Sequence, residues 1–237
     1  MPLAHWNGKT IGFAHVPKAG GTSVEDYLAR RFGPLSISDI NKRSGVARTG
    51  LIVPATHLSK TDLAELLPHD LTYGFAVVRD PVKRLMSEYR YQSKVSRMSR
   101  LGFSTWVRVM LRAATIEPRL YENHIRPQAD LVPDSFEVFR LEDGFDKLIS
   151  KLDDIAECEA PDVDVQHLNM RKSEKIHPSR QDIALVKDFY HEDYQRFDYA
   201  VPDEADWPND RFSRPRDWLA ALLSPVLVMW QRYRWVR

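Results

Sequence analysis

Hydrophobic positions in the first third of the chain come in short runs closed by polar turns. Ile11, Phe13, Ala14 and Val16 form an apolar run that stops at Pro17, the pattern of a buried strand. Gly20 and Gly21 follow, and then Val24, Tyr27, Leu28 and Phe32 recur at helical spacing. Residues 51–56 predict another strand, weakened by Pro54, which cannot donate to a ladder. A short helix is expected over 62–67, stopped at Pro68, and a strand over 73–78. Asp80 suits an N-cap and Pro81 a first helical position, so a helix is expected from there to about residue 100.

Beyond it the pattern predicts helices over 103–115 and 120–131, a strand over 136–140 and a helix over 142–152. Ser179 is placed to cap a helix over 179–196, whose apolar positions are Ile183, Val186, Phe189 and Tyr190. A Pro- and Asp-rich stretch, 202–215, precedes an amphipathic helix over about 216–234. Strands alternating with helices predict an α/β fold around a mainly parallel sheet.

Charge sharpens this picture. The 237 residues carry 34 Lys and Arg against 33 Asp and Glu, a net of +1, which argues against a protein that coats a polyanion. The balance is uneven along the chain: residues 78–112 hold nine basic side chains against Asp80 and Glu88. The lone Cys158 excludes an internal disulfide framework and a CxxC site, which suits a reducing, cytoplasmic setting. No signal-peptide core and no run of about 18 apolar residues is present.

Two strings carry candidate chemistry. In Pro17-Lys18-Ala19-Gly20-Gly21-Thr22-Ser23 a glycine pair opens a helix. There backbone N–H groups and the helix dipole favour an anion, and Lys18 can neutralise its charge. The lysine precedes both glycines, so the string is not a Walker A loop, which needs it after the second. The second string runs from Arg79-Asp80-Pro81 to Ser87. Arg79 closes a strand, where open α/β sheets bind ligands, and an arginine fork with a hydroxyl can clamp a phosphate.

Together these strings resemble the sulfotransferases that use 3′-phosphoadenosine 5′-phosphosulfate (PAPS). The nearest likeness is to the carbohydrate type, which includes heparan sulfate 2-O-sulfotransferases and bacterial members. The resemblance implies a P-loop-NTPase-like central parallel sheet flanked by helices, with the sulfotransferase domain over 1–200 and a C-terminal helical extension over 201–237. It assigns the first string to the 5′-phosphosulfate, and Arg79 and Ser87 to the 3′-phosphate. A third segment, residues 166–175, is similar to the family's late cofactor loop with one extra residue, and contains Arg171, Lys172 and Ser173. The implied reaction moves a sulfuryl group from PAPS to an acceptor, here a hydroxyl, on a glycan by resemblance. Adenosine 3′,5′-bisphosphate (PAP) leaves while Lys18 stabilises the bridging oxygen. No metal is implied.

The acceptor needs a base, and histidine is the natural one near neutral pH. His57 follows the expected 51–56 strand, where the resembling enzymes place a catalytic histidine; Thr56 stands where they usually have glycine. Its bland alternative is a structural histidine ahead of the next helix. His124, in a segment with Asn123 and Gln128 that resembles an acceptor-side motif, is a substrate contact or a second candidate base. Two rival readings stand beside the enzyme. A nucleotide-dependent kinase lacks its GK[ST] signature here, and a nucleic-acid-binding module lacks a reader motif. The C-terminal helix suits packing over the core, a dimer contact or a weak membrane-surface contact.

Overall fold

The computed structural model describes residues 1–37, 53–67, 69–95, 101–158 and 176–236. Leu51 and Ile52, the expected helix beyond residue 95, and the 166–175 segment with Arg171, Lys172 and Ser173 lie outside them. In chain order the elements are β1 (Leu3–Trp6), β2 (Lys9–Ala14), α1 (Gly21–Phe32), α2 (Lys60–Leu66), β3 (Leu71–Val78) and α3 (Pro81–Val95). Then come α4 (Phe103–Ile116), β4 (Glu137–Arg140), α5 (Asp146–Ala156), α6 (Arg180–Phe189), α7 (His191–Arg196) and α8 (Ser213–Val236). The class is α/β, as expected, with a mostly parallel sheet, flanking helices and a C-terminal helix. The chain divides into two compact units, Met1–Arg79 with Gln128–Arg171, and Asp80–Pro127 with Lys172–Arg237.

The first unit is built on a sheet of order β1-β2-β3-β4. β2, β3 and β4 run parallel, in a register that sets Phe13 beside Phe75 and Val78 beside Arg140. β1 is antiparallel to β2 and is an addition to the expected parallel set. Asn7 and Gly8 join them with φ of 46° and 78°, the paired positive values that a two-residue hairpin needs to match strand twist. Ile11, Phe13, Phe75 and Val77 pack with Val24, Tyr27 and Leu28 of α1 and with Leu148 and Leu152 of α5. Arg31 is buried and donates to Asp153 of α5 at 2.5 Å and to the Tyr27 hydroxyl at 2.7 Å, so its charge is compensated. The expected strand before His57 does not form in its described part. Pro54 is extended, with φ −53° and ψ 144°, and Ala55–His57 closes a single 3-10 turn.

The second unit is helical. Trp106, Met110, Ile183, Val186, Tyr190, Leu227 and Val228 share its core. Two expectations change here. Residues 120–131 form turns and a short 3-10 helix (Gln128–Asp130) rather than one α-helix, because Tyr121, Glu122 and Asn123 are all left-handed, with φ of 48°, 59° and 67°. The expected 179–196 helix is two helices, α6 and α7, meeting at Tyr190 (φ −106°, ψ 26°), whose buried hydroxyl donates to the Ile125 carbonyl at 2.7 Å. α8 is longer than its apolar run predicts and continues through Pro225.

Candidate active site

In the first unit β2 ends at Ala14, and the chain turns through Pro17, Lys18, Ala19 and Gly20 into α1. Lys18 and Gly20 both adopt left-handed backbone, with φ of 66° and 85°. Gly20 is the N-cap residue of α1, and no side chain caps that terminus. An uncapped first turn directs its N–H groups and dipole at an anion. Gly20 is called for by its left-handed backbone, and Gly21 by space. A Cβ on Gly20 would sit 2.9 Å from Leu141 Cδ1, and one on Gly21 only 2.1 Å from His15 Nε2. Lys18 is half-buried; Pro17, Ala19, Gly21 and Ser23 are buried; Thr22 is exposed.

Arg79 lies at the carboxyl end of β3 and reaches this turn. Its Nη1 donates to the Lys18 carbonyl at 3.2 Å. Gln128, fully buried, fixes the Arg79 backbone from both sides. It accepts from the Arg79 N–H at 2.9 Å and donates from Nε2 to the Arg79 carbonyl at 2.8 Å. The first string and the opening residue of the second thus meet at one edge of the sheet, where the glycine turn, an uncapped helix terminus and a guanidinium converge.

His57 is half-buried in its 3-10 turn, with its ring 5.0 Å from the ring of His15 in an edge-to-face arrangement. His15 in turn donates from Nδ1 to the buried carboxylate of Glu25 on α1. A carboxylate on Nδ1 sets the tautomer of an imidazole and its ring orientation. Neither His15 nor Glu25 was a candidate from the sequence. Glu25 sits one turn into α1 with nothing local to mark it as inward-facing.

The second unit holds Ser87 and His124. Ser87 is half-buried on α3. Asp80 accepts from the Lys83 N–H at 2.8 Å, the capping role expected of it. One stripe of α3, Arg84, Glu88 and Gln92, is buried to 2%, 1% and 1% exposure and forms a chain of hydrogen bonds. Trp106 Nε1 donates to Gln92 at 3.1 Å, Gln92 donates to Glu88 at 2.7 Å, and Glu88 accepts from His124 Nδ1 at 2.8 Å. Arg84 Nη2 donates to the carbonyls of His124 and Arg126 at 3.0 and 2.9 Å. The left-handed turn 121–123 delivers His124 to this carboxylate, with Asn123 fully buried behind it. Tyr91 stacks on the imidazole at 5.7 Å. Burial, and then the charges of Glu88 and Glu122, push its phenol above the ordinary range, so Tyr91 stays neutral. Sequence reasoning missed Glu88 and Gln92. Their signal was the i, i+4, i+8 spacing from Arg84, which equally describes a solvated face.

Among the described residues no group of three or more His, Cys, Asp or Glu side chains could hold a metal ion, and no helix is long and apolar enough to cross a membrane. Compared with known families, residues 8–200 match the model of the sulfotransferase family. No curated protein and no solved structure matches the chain.

Proposed function

The chain belongs to the sulfotransferase family, and on that premise we propose that it moves a sulfuryl group from PAPS to a carbohydrate hydroxyl. The observation that carries the reading is the Arg79 guanidinium resting on the carbonyl of Lys18, beside a glycine turn and an uncapped helix terminus. Those groups fit a phosphosulfate. Leu141 and His15 close the Cβ positions of Gly20 and Gly21, so the turn presents backbone and no side chain of its own there. PAPS, when bound, supplies an activated sulfuryl group on an anionic leaving group.

Pro17 to Ser23 hold the 5′-phosphosulfate in this reading, and Lys18 neutralises the charge that grows on the bridging oxygen. Arg79 and Ser87 take the 3′-phosphate, and Arg171, Lys172 and Ser173 are assigned to the same donor by resemblance. His57 or His124 accepts the proton of the attacking hydroxyl. Asn123, His124 and Gln128 are assigned to the acceptor side by resemblance; Gln128 also pins the backbone of the donor-side Arg79. Residues 1–200 form the sulfotransferase domain and 201–237 its extension. Lys18, Arg79 and the α1 terminus supply the positive charge, and the reaction is expected to survive a chelator.

The test is transfer from labelled PAPS across a panel of glycans, lipids and phenols, with and without chelator, beside direct titration of PAP and ATP. Label on a glycan and PAP binding without ATP binding support the reading. Transfer that needs magnesium and ATP overturns it in favour of a kinase.

A further inference from the structure

The C-terminal helix presents two faces of opposite use. Ala220, Ser224, Leu227, Val228 and Gln231 of α8 are buried to between 0% and 6% exposure, and Ser224 donates to the Val109 carbonyl of α4 at 3.1 Å. Trp218, Leu222, Val226, Met229 and Tyr233 point away from that core and are 76%, 70%, 62%, 71% and 53% exposed. Their spacing of four, four, three and four residues makes one continuous stripe along the helix. Five large apolar or aromatic side chains in a row on the surface mark an interaction face rather than scattered exposure.

Charge says what covers it. The last 27 residues hold six arginines against the single acid Asp217, in a chain whose net charge is +1. Asp217 accepts from Arg108 at 2.9 Å, which leaves that acid already matched within the unit. In sequence the arginines flank the stripe, 211, 214 and 216 before it and 232, 234 and 237 around its close; Arg216 pairs with Asp210 and Arg232 with Glu117. A second copy packed along the same stripe would set arginine-rich end against arginine-rich end, in parallel or antiparallel order. An anionic surface has the opposite and favourable sign. Tryptophan and tyrosine suit the headgroup depth of a bilayer, and no described helix is apolar enough to cross one.

We propose that α8 lies in the plane of an anionic phospholipid membrane, with its Trp218–Tyr233 stripe in the acyl boundary and Arg211 and Arg214, just ahead of the stripe, on the headgroups. Each arginine near such a surface is worth about fivefold in affinity at moderate ionic strength. This site acts without donor or acceptor, and its failure leaves the sulfuryl-transfer reading untouched.

The experiment is flotation of the full chain with vesicles of phosphatidylcholine alone and of phosphatidylcholine with phosphatidylglycerol, at low and high salt. Partitioning is expected to be at least about tenfold stronger on the anionic vesicles and to weaken with salt. The double variant Leu222→Glu/Met229→Glu changes only exposed positions, so its circular dichroism and thermal midpoint should match the wild type while its partitioning is lost. Arg211→Gln/Arg214→Gln should lose partitioning on anionic vesicles without gaining it on neutral ones. No partitioning by the folded chain, or partitioning that survives the Leu222/Met229 variant, overturns the proposal. A concentration-dependent dimer that the same variant dissolves, with no vesicle binding, overturns it too and gives the stripe to a second copy.

Discussion

Lys18 and His57 are asked to act on opposite ends of the same displacement, and that makes them separable. Lys18→Ala removes stabilisation of the leaving oxygen, so the chemical step should slow with every acceptor. With His57 as the proposed base, His57→Ala should cost roughly 10²–10⁴-fold, a loss that depends on the acidity of the acceptor. With His57→Ala, 4-nitrophenol, already partly ionised near neutral pH, should retain turnover while a sugar hydroxyl does not. Full activity of His57→Ala on the sugar would move the base to His124. On the proposed 3′-phosphate assignment, Arg79→Ala should lower PAP affinity by roughly 1.5–3 kcal/mol, about ten- to 150-fold by titration calorimetry. Gln128→Ala should weaken PAP binding in the same direction although it never touches the ligand, because Arg79 loses the amide that pins its backbone on both sides.

At the scale of elements, the turn into α1 tolerates no side chain at its second glycine. Gly21→Ala sets a methyl 2.1 Å from His15 Nε2 and should displace the imidazole that Glu25 holds. Loss of PAP affinity with retained circular dichroism is the expected result. The end of α8 makes a different, pH-dependent tie. Burial works to raise the pKa of Glu117, but Arg119 and then Arg232 of α8 more than offset it, and the carboxyl titrates below its ordinary value of 4.5. A carboxyl depressed in the folded state contributes stability above its unfolded pKa and loses it as pH falls through the folded one. Urea melts should therefore show the wild type more stable than Glu117→Gln at neutral pH, with the gap closing progressively below about pH 4.5.

At the scale of the molecule, one buried cation binds distant stretches of the second unit. Arg108 of α4 is 2% exposed and pairs with Asp182 of α6, with Asp210 at 3.5 Å and with Asp217 of α8 at 2.9 Å. Asp182 is fully buried, so removing the arginine takes away its counter-charge and leaves it to the hydrogen bonds from the Ser104 hydroxyl and the Ser179 N–H. Arg108→Met is expected to cost about 3–5 kcal/mol in urea denaturation, far more than loss of an exposed pair such as Lys60 with Asp134. The Asp217 arm of this cluster is consistent with the rotation of α8 that packs Ala220 and Leu227 into the core and leaves Trp218 and Leu222 on the surface.

Strands β2 and β3, the start of α3 and the glycine turn before α1 were legible along the chain, because each rests on local chemistry. Apolar runs bury, Asp80 and Pro81 open a helix, and paired glycines allow a left-handed turn. The hairpin at Asn7-Gly8 was equally local, though only the strand after it was read. Tertiary structure alone decided the rest. Arg79 and Lys18 are 61 residues apart and Arg79 and Gln128 are 49 apart, so no window of sequence contains either contact. On α3 the polar stripe of Arg84, Glu88 and Gln92 has the period of a solvated face. It is buried because Trp106 and His124 supply partners from other segments. Periodicity states which residues share a face; what packs against that face, and so whether its polar groups meet water or one another, is set by the fold.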